Sequence, residues 1–134
     1  MLEEQFLKKR AQEFWQRADE DFQKKRYNLC ALDVEQAVQL WIKHLIFQKA
    51  GDFPKTHYFN MLINTLFEIY AGDSIKNFYN FYKENVLQFT SLEDAYLTSR
   101  YLPKEFSKEE AVSLISFAKN FFKVLENSTD AKFI

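Results

Sequence analysis

Residues 29–50 read LCALDVEQAVQLWIKHLIFQKA, and their apolar positions recur at the spacing of a helix that is apolar on most of its circumference. Such a helix is buried on most sides, so other helices must surround it. Gly51 follows directly and suits the left-handed conformation that ends many helices. The stretch therefore predicts the central helix of a bundle.

The flanking sequence supplies the surrounding helices, because apolar residues keep helical spacing almost everywhere and only two Gly and two Pro interrupt 134 residues. Thr56 is the expected N-cap of the third helix, and Ser107 with Glu110 has the spacing of a capping box. We predict an all-α, up-and-down bundle of five or six helices. The predicted helices cover about residues 2–27, 29–50, 57–71, 74–89, 91–100 and 108–127.

The predicted bundle is one domain over residues 1–127, and little in the sequence holds residues 128–134, which we expect to fray. No apolar run approaches the roughly 20 residues that span a bilayer. The acidic start is unlike a secretory signal. We therefore expect a cytoplasmic protein without a membrane segment.

Composition argues against several kinds of site. The formal net charge of −1 disfavours a general binder of nucleic-acid phosphates. A single cysteine, Cys30, and two histidines without metal-ligand spacing predict no metal site, and no cofactor is expected. The net charge is still compatible with a local basic pocket.

Two polar patches lie on predicted helices. Gln36 and Lys43 are seven residues apart and share a face of the second helix; the alternative is that Lys43 snorkels along the bundle while the amides of Gln36 and Gln39 are solvated. Arg100 precedes a turn, where its guanidinium is suited to clamp a phosphate or carboxylate, or to cap the carbonyls of its own helix. Tyr101 beside it is suited to stack on a base. These residues are candidate ligand-binding groups.

A third patch surrounds His57. If Thr56 caps the third helix, His57 lies in its first turn, near free N–H groups and the positive helix end, where an anion is favoured. The alternative is a structural histidine that is hydrogen-bonded within the loop. We include His57 among the candidate ligand-binding residues.

The same residues, taken in order, resemble the HEPN family (higher eukaryotes and prokaryotes nucleotide-binding), small helical-bundle proteins of archaea and bacteria. The resemblance spans about residues 18–118. It implies an up-and-down bundle that is usually a homodimer and is often encoded beside a minimal nucleotidyltransferase. The matching pieces are Ala18-x-x-Asp21-Phe22, Tyr27, Gln36-Ala37-Val38 through Lys43, Gly51, Pro54-x-Thr56-His57 with Leu62, and Ser99-Arg100-Tyr101.

Many members of that superfamily are metal-independent ribonucleases with an Arg-x4-6-His motif at a dimer interface. Here neither His44 nor His57 follows an arginine at that distance. The Tyr-Leu-Pro after Arg100 resembles the non-ribonuclease branch, whose members are nucleotide-binding or partner subunits. Gln39 stands where that branch often carries an acidic residue.

Three functions follow as hypotheses. The first is a non-catalytic module, with no catalytic residue, that binds a nucleotide or a nucleotidyltransferase partner in a toxin–antitoxin-like pair. The second is a ribonuclease toxin that acts on RNA with His57 and Arg100 from facing subunits. The third is a structural dimer that pairs through Phe81, which lies off the apolar stripe of the fourth helix, and through the aromatic residues from Phe78 to Phe89.

Overall fold

The computed structural model describes residues 2–134, with side chains from residue 5 onward. Within that part of the chain there are six α-helices and no β-strand, which confirms the predicted all-α helical bundle. None of the described helices combines the length and the apolar character needed to cross a lipid bilayer. The helices are α1 (Leu2–Gln23), α2 (Tyr27–Ala50), α3 (Phe59–Ile69), α4 (Ser74–Glu84), α5 (Val86–Tyr101) and α6 (Lys108–Thr129).

Helix α2 is the centre of the bundle, as its apolar circumference predicts. It packs against α1, α3, α5 and α6, and its largest side chain, Trp41, is completely buried. Gly51 ends the helix at φ 77°, where its backbone N–H donates to the carbonyl of Phe47. The predicted left-handed stop is confirmed, and α2 becomes the scaffold on which the polar residues are arranged.

The start of α3 differs from the prediction. The helix begins at Phe59 rather than His57, and the Phe59 N–H donates to Glu93 Oε1 of α5 at 2.7 Å. Thr56 is not the N-cap; its hydroxyl instead accepts from the Tyr58 N–H within the loop. A carboxylate from a neighbouring helix thus satisfies the helix start, which no local spacing signals.

The aromatic segment between residues 74 and 101 is divided at Asn85, not near residue 90. The Asn85 side chain donates to the Phe81 carbonyl at 2.8 Å, and α5 starts at Val86. Phe81 is half-buried and stacks on Phe117, with ring centroids 5.8 Å apart and planes 15° apart. Its own chain therefore covers part of the Phe81 ring, and a dimer surface that includes Phe81 stays a prediction.

The C-terminal region is held more firmly than its sequence indicates. The Ser107–Glu110 capping box is present at the start of α6, as predicted. Phe133 is 2% exposed and stacks on Phe122 at 3.8 Å, and Gln12 Nε2 donates to the Phe133 carbonyl at 2.6 Å. The premise that little holds residues 128–134 is wrong, since one aromatic ring closes the bundle there.

Candidate functional site

A buried carboxyl group lies on α2. Glu35 is 0% exposed and accepts hydrogen bonds from the side-chain amides of Gln36 and Gln39, each at 2.7 Å. Gln39 Oε1 in turn accepts from Lys43 Nζ at 2.8 Å. Burial raises the pKa of Glu35 to about 7, while the two amides and the charge of Lys43 oppose that rise. One face of α2 thus carries a hydrogen-bonded row that ends in an ammonium group.

Lys43 is half-buried and faces the loop between α2 and α3. Its Nζ lies 5.8 Å from the ring centroid of Phe53, and Lys55 Nζ lies 3.6 Å from the same centroid. Burial lowers the pKa of Lys43; the carboxylate of Glu35 raises it and the charge of Lys55 lowers it further. Two lysines therefore converge on one aromatic ring.

A second ring gathers two further cationic or ionisable groups. His57 stacks on Tyr96 of α5, with centroids 4.7 Å and planes 13° apart. Arg100 lies one helical turn after Tyr96, and its guanidinium carbon is 5.1 Å from the Tyr96 centroid. Tyr101, 66% exposed, lies beside that guanidinium at 5.3 Å. The loop and α5 together place an imidazole and a guanidinium against an aromatic ring.

Within the described side chains, Arg100 makes no ion pair and no hydrogen bond, so it does not cap the carbonyls of α5. Its five N–H donors remain available to a bidentate acceptor such as phosphate. The cations on Phe53 and those on Tyr96 form two clusters that share the loop between α2 and α3, and we call the two clusters together the basic aromatic face. Its members are Lys43, Phe53, Lys55, His57, Tyr96 and Arg100.

The structure brings together most of the residues that the sequence singled out. His57, Arg100 and Tyr101 gather around Tyr96, and Lys43 approaches the same loop through Phe53. Gln36 does not join them, because its amide is engaged with Glu35. The predicted shared face of Gln36 and Lys43 is therefore indirect, with Glu35 and Gln39 between them.

The predicted placement of His57 in the first turn of α3 is wrong. His57 belongs to the loop, and the positive start of α3 is occupied by the carboxylate of Glu93. An external anion would have to compete with Glu93 there. His57 instead contributes from its stack on Tyr96.

The sequence reasoning missed Glu35 and Tyr96. Glu35 had a usable signal: Glu35, Gln39 and Lys43 follow one another at i, i+4 spacing inside the otherwise apolar α2. Tyr96 had none, because its partner His57 is distant in sequence and lies in a loop. Its role depends on how α5 packs beside the α2–α3 loop.

A separate group of charges joins the end of α1 to α2. Arg17 donates to Asp33 Oδ1 from Nε at 3.0 Å and from Nη2 at 2.8 Å, and Arg26 Nε donates to Asp21 Oδ1 at 2.8 Å. Asp33 and Asp21 are 0% and 3% exposed. Burial, aided by the neighbouring Asp21, raises the pKa of Asp33, while Arg17 opposes that rise. We call these four residues the α1–α2 corner.

The fold and the site together define a class of protein. It is an all-helical bundle that carries basic side chains on aromatic rings. The family profile of the HEPN domain matches residues 4–128, nearly the whole chain. The chain therefore belongs to the HEPN domain family. Neither a curated protein nor a solved structure shows a significant match to it.

Proposed function

We propose that this HEPN-domain protein is a non-catalytic module that binds a nucleotide through its phosphates at the basic aromatic face. The observation that carries the proposal is the placement of Arg100 on Tyr96 without a carboxylate partner among the described side chains. An arginine in that state is preorganised by the ring and keeps its fork of donors for an outside anion.

The lysines support the same reading. Lys43 gives one N–H to Gln39, so up to two of its three donors can face a ligand. Lys55 has a carboxylate nearby, that of Asp52 at 3.8 Å, but both side chains are highly exposed and such a pair holds little energy. A triphosphate is long enough to engage several separated cations, and exposed Tyr101 offers a surface for the base.

The family also suggests the setting of the proposed activity. We infer a homodimer of the non-ribonuclease branch, bacterial or archaeal and cytoplasmic, that pairs with a minimal nucleotidyltransferase in a toxin–antitoxin-like system. The nucleotidyltransferase would consume the same class of ligand that this chain binds. Ordinary ribonuclease chemistry is disfavoured, because no histidine follows an arginine at the Arg-x4-6-His distance.

Calorimetric titration with ATP and with GTP tests the proposal. We expect binding by the unmodified chain, a loss of about tenfold or more in affinity for Arg100→Ala, and no change for Lys119→Ala. Lys119 is the matched control because it is an exposed cation in the groove between α1 and α6, beside Trp15. Absence of heat with both nucleotides would refute nucleotide binding and leave the partner-subunit role.

One observation favours a second candidate, a metal-independent ribonuclease. His57 and Arg100 each lie over the Tyr96 ring of one chain, so one ring holds an imidazole and a guanidinium without a facing subunit. Imidazole is the commonest general acid or base, and a guanidinium stabilises a phosphorane-like anion. Cleavage of total RNA that His57→Ala and Arg100→Ala both abolish would establish this function, and intact RNA after long incubation would remove it.

A further inference from the structure

Burial alone does not explain why an acidic residue stands at position 35. A carboxyl group removed from water is costly unless its oxygens are hydrogen-bonded, and both Glu35 oxygens accept a side-chain amide. No described cation contacts it directly; Lys43 is reached only through Gln39. An apolar residue would pack in this place with less cost, so the acid has another role.

The hydrogen bonds form a row with a fixed direction. Both Glu35 oxygens accept from amides, which is the pattern of the ionised form; an ionised carboxylate only accepts, so Gln39 turns its NH2 group toward Glu35. Its Oε1 then points the other way, toward Lys43, whose ammonium only donates. The orientation of the Gln39 amide is therefore determined by Glu35, and the acceptor that Lys43 finds is a consequence of the acid two helical turns away.

We propose that Glu35 is a positioning residue for nucleotide binding, which fixes the ammonium of Lys43 toward the basic aromatic face through the amide of Gln39. Neither Glu35 nor Gln39 touches the ligand. The inference rests on the proposed function for its consequence on affinity, but the row itself can be tested without a nucleotide.

The row makes a specific prediction about exchanging its two inner residues. In Glu35→Gln, one accepting oxygen becomes an NH2 donor, and we expect the remaining oxygen to stay with Gln36 and the NH2 group to face Gln39. Gln39 must then turn its oxygen toward position 35 and its NH2 group toward Lys43, so that two donors face each other. In the double variant Glu35→Gln/Gln39→Glu, a carboxylate at position 39 accepts from both neighbours, and the row is complete again with the same net charge.

The first readout is the pKa of the Lys43 ammonium, followed by NMR of the unmodified chain and its variants with labelled lysine. We expect Glu35→Gln to lower this pKa, because a supporting carboxylate and an acceptor are lost, and the double variant to bring it to the original value or higher. Lys55→Gln is the control and should raise it, since the charge of Lys55 lowers it now. An unchanged Lys43 pKa in folded Glu35→Gln would overturn the proposal.

The second readout is the dissociation constant for ATP. We expect Glu35→Gln to weaken binding about tenfold, in line with one lost charge-assisted hydrogen bond, and the double variant to recover most of that loss. A folded double variant that binds no better than Glu35→Gln would contradict the relay. If Glu35→Gln does not fold, Gln39→Met keeps the packing and breaks the row, and it must lower the Lys43 pKa in the same way.

The two readouts separate the two proposals. If the unmodified chain binds neither ATP nor GTP while Gln39→Met, which keeps the Glu35 charge, still lowers the Lys43 pKa, the proposed function fails and the positioning of Lys43 stands. If ATP binds but neither Glu35→Gln nor Gln39→Met changes the Lys43 pKa, the proposed function stands and the positioning role fails.

Discussion

The α1–α2 corner and the basic aromatic face use the same kinds of side chain for opposite purposes. At the corner, Arg17 and Arg26 donate to buried Asp33 and Asp21 of their own chain. On the face, Arg100 lies on an aromatic ring and has no carboxylate partner among the described side chains. A cation with an internal carboxylate stabilises the fold, whereas a cation supported by a ring remains able to bind an external anion.

The largest difference in stability should appear when one arginine from each region is replaced by methionine, an uncharged side chain of similar length. We expect Arg17→Met to lower the free energy of unfolding by about 2 kcal/mol, because completely buried Asp33 loses two charge-assisted hydrogen bonds. Arg100→Met should change it by less than about 0.5 kcal/mol. Urea unfolding of both variants at pH 7 provides the comparison, and equal losses would show that the two regions do not differ.

The converse should hold for ligand affinity. We expect Arg100→Gln to weaken ATP binding about tenfold, through the loss of a bidentate phosphate contact. Arg26→Gln should leave it unchanged, because that guanidinium is engaged with Asp21. Calorimetry at one fixed salt concentration measures both, and a matching loss in Arg26→Gln would contradict the division of roles.

The stability that the α1–α2 corner contributes should also depend on pH. The pKa of Asp33 is raised to about 7 by burial, with a contribution from Asp21, so the folded state retains a proton that the unfolded state has already released. The stability due to this group is complete below pH 4 and is lost as the pH rises toward 7. Relative to Asp33→Asn, the unmodified chain should lose stability steadily over this window.

Unfolding of both proteins at closely spaced pH values from 4 to 8 measures that difference. Glu35, which also has a raised pKa, titrates in both proteins, so it cancels in the comparison. A difference that is constant with pH, or one that grows in favour of the unmodified chain as the pH rises, would contradict the assignment.

The smallest effect concerns the start of α3. Since Thr56 is not the helix cap, Thr56→Ala should cost less than about 0.5 kcal/mol, whereas Glu93→Gln should cost about 1 kcal/mol. Ser107→Ala, which removes half of a capping box, is the reference for a true cap. A cost for Thr56→Ala equal to that of Ser107→Ala would restore Thr56 as the cap.

The sequence predicted the fold where the signals are local. Apolar spacing predicted α2 at the centre, Gly51 predicted its end, and Ser107 with Glu110 predicted the capping box at the start of α6. All three are present. Prediction from the sequence failed where a distant residue determines the outcome. Glu93 displaces Thr56 at the start of α3, and Phe133 reaches Phe122 to hold the C-terminus.

The candidate site was predictable in part for the same reason. His57, Arg100 and Lys43 lie in short polar patches that helix packing does not explain, so the sequence indicated each of them separately. Their arrangement was not indicated, because it depends on Tyr96 and Phe53, two aromatic rings that periodicity cannot distinguish from the many that fill the core. The resemblance to the HEPN family indicated which residues matter, but not that they share aromatic supports.

The most direct test of the central claim follows the arginine side chains by NMR while ATP is added. The Nε–H signals of Arg17 and Arg26 report on the corner, and that of Arg100 reports on the basic aromatic face. We predict that the Arg100 signal shifts and saturates while the other two stay unchanged. If Arg100 does not respond, or if all three shift alike, the account of an open face beside a closed corner is wrong.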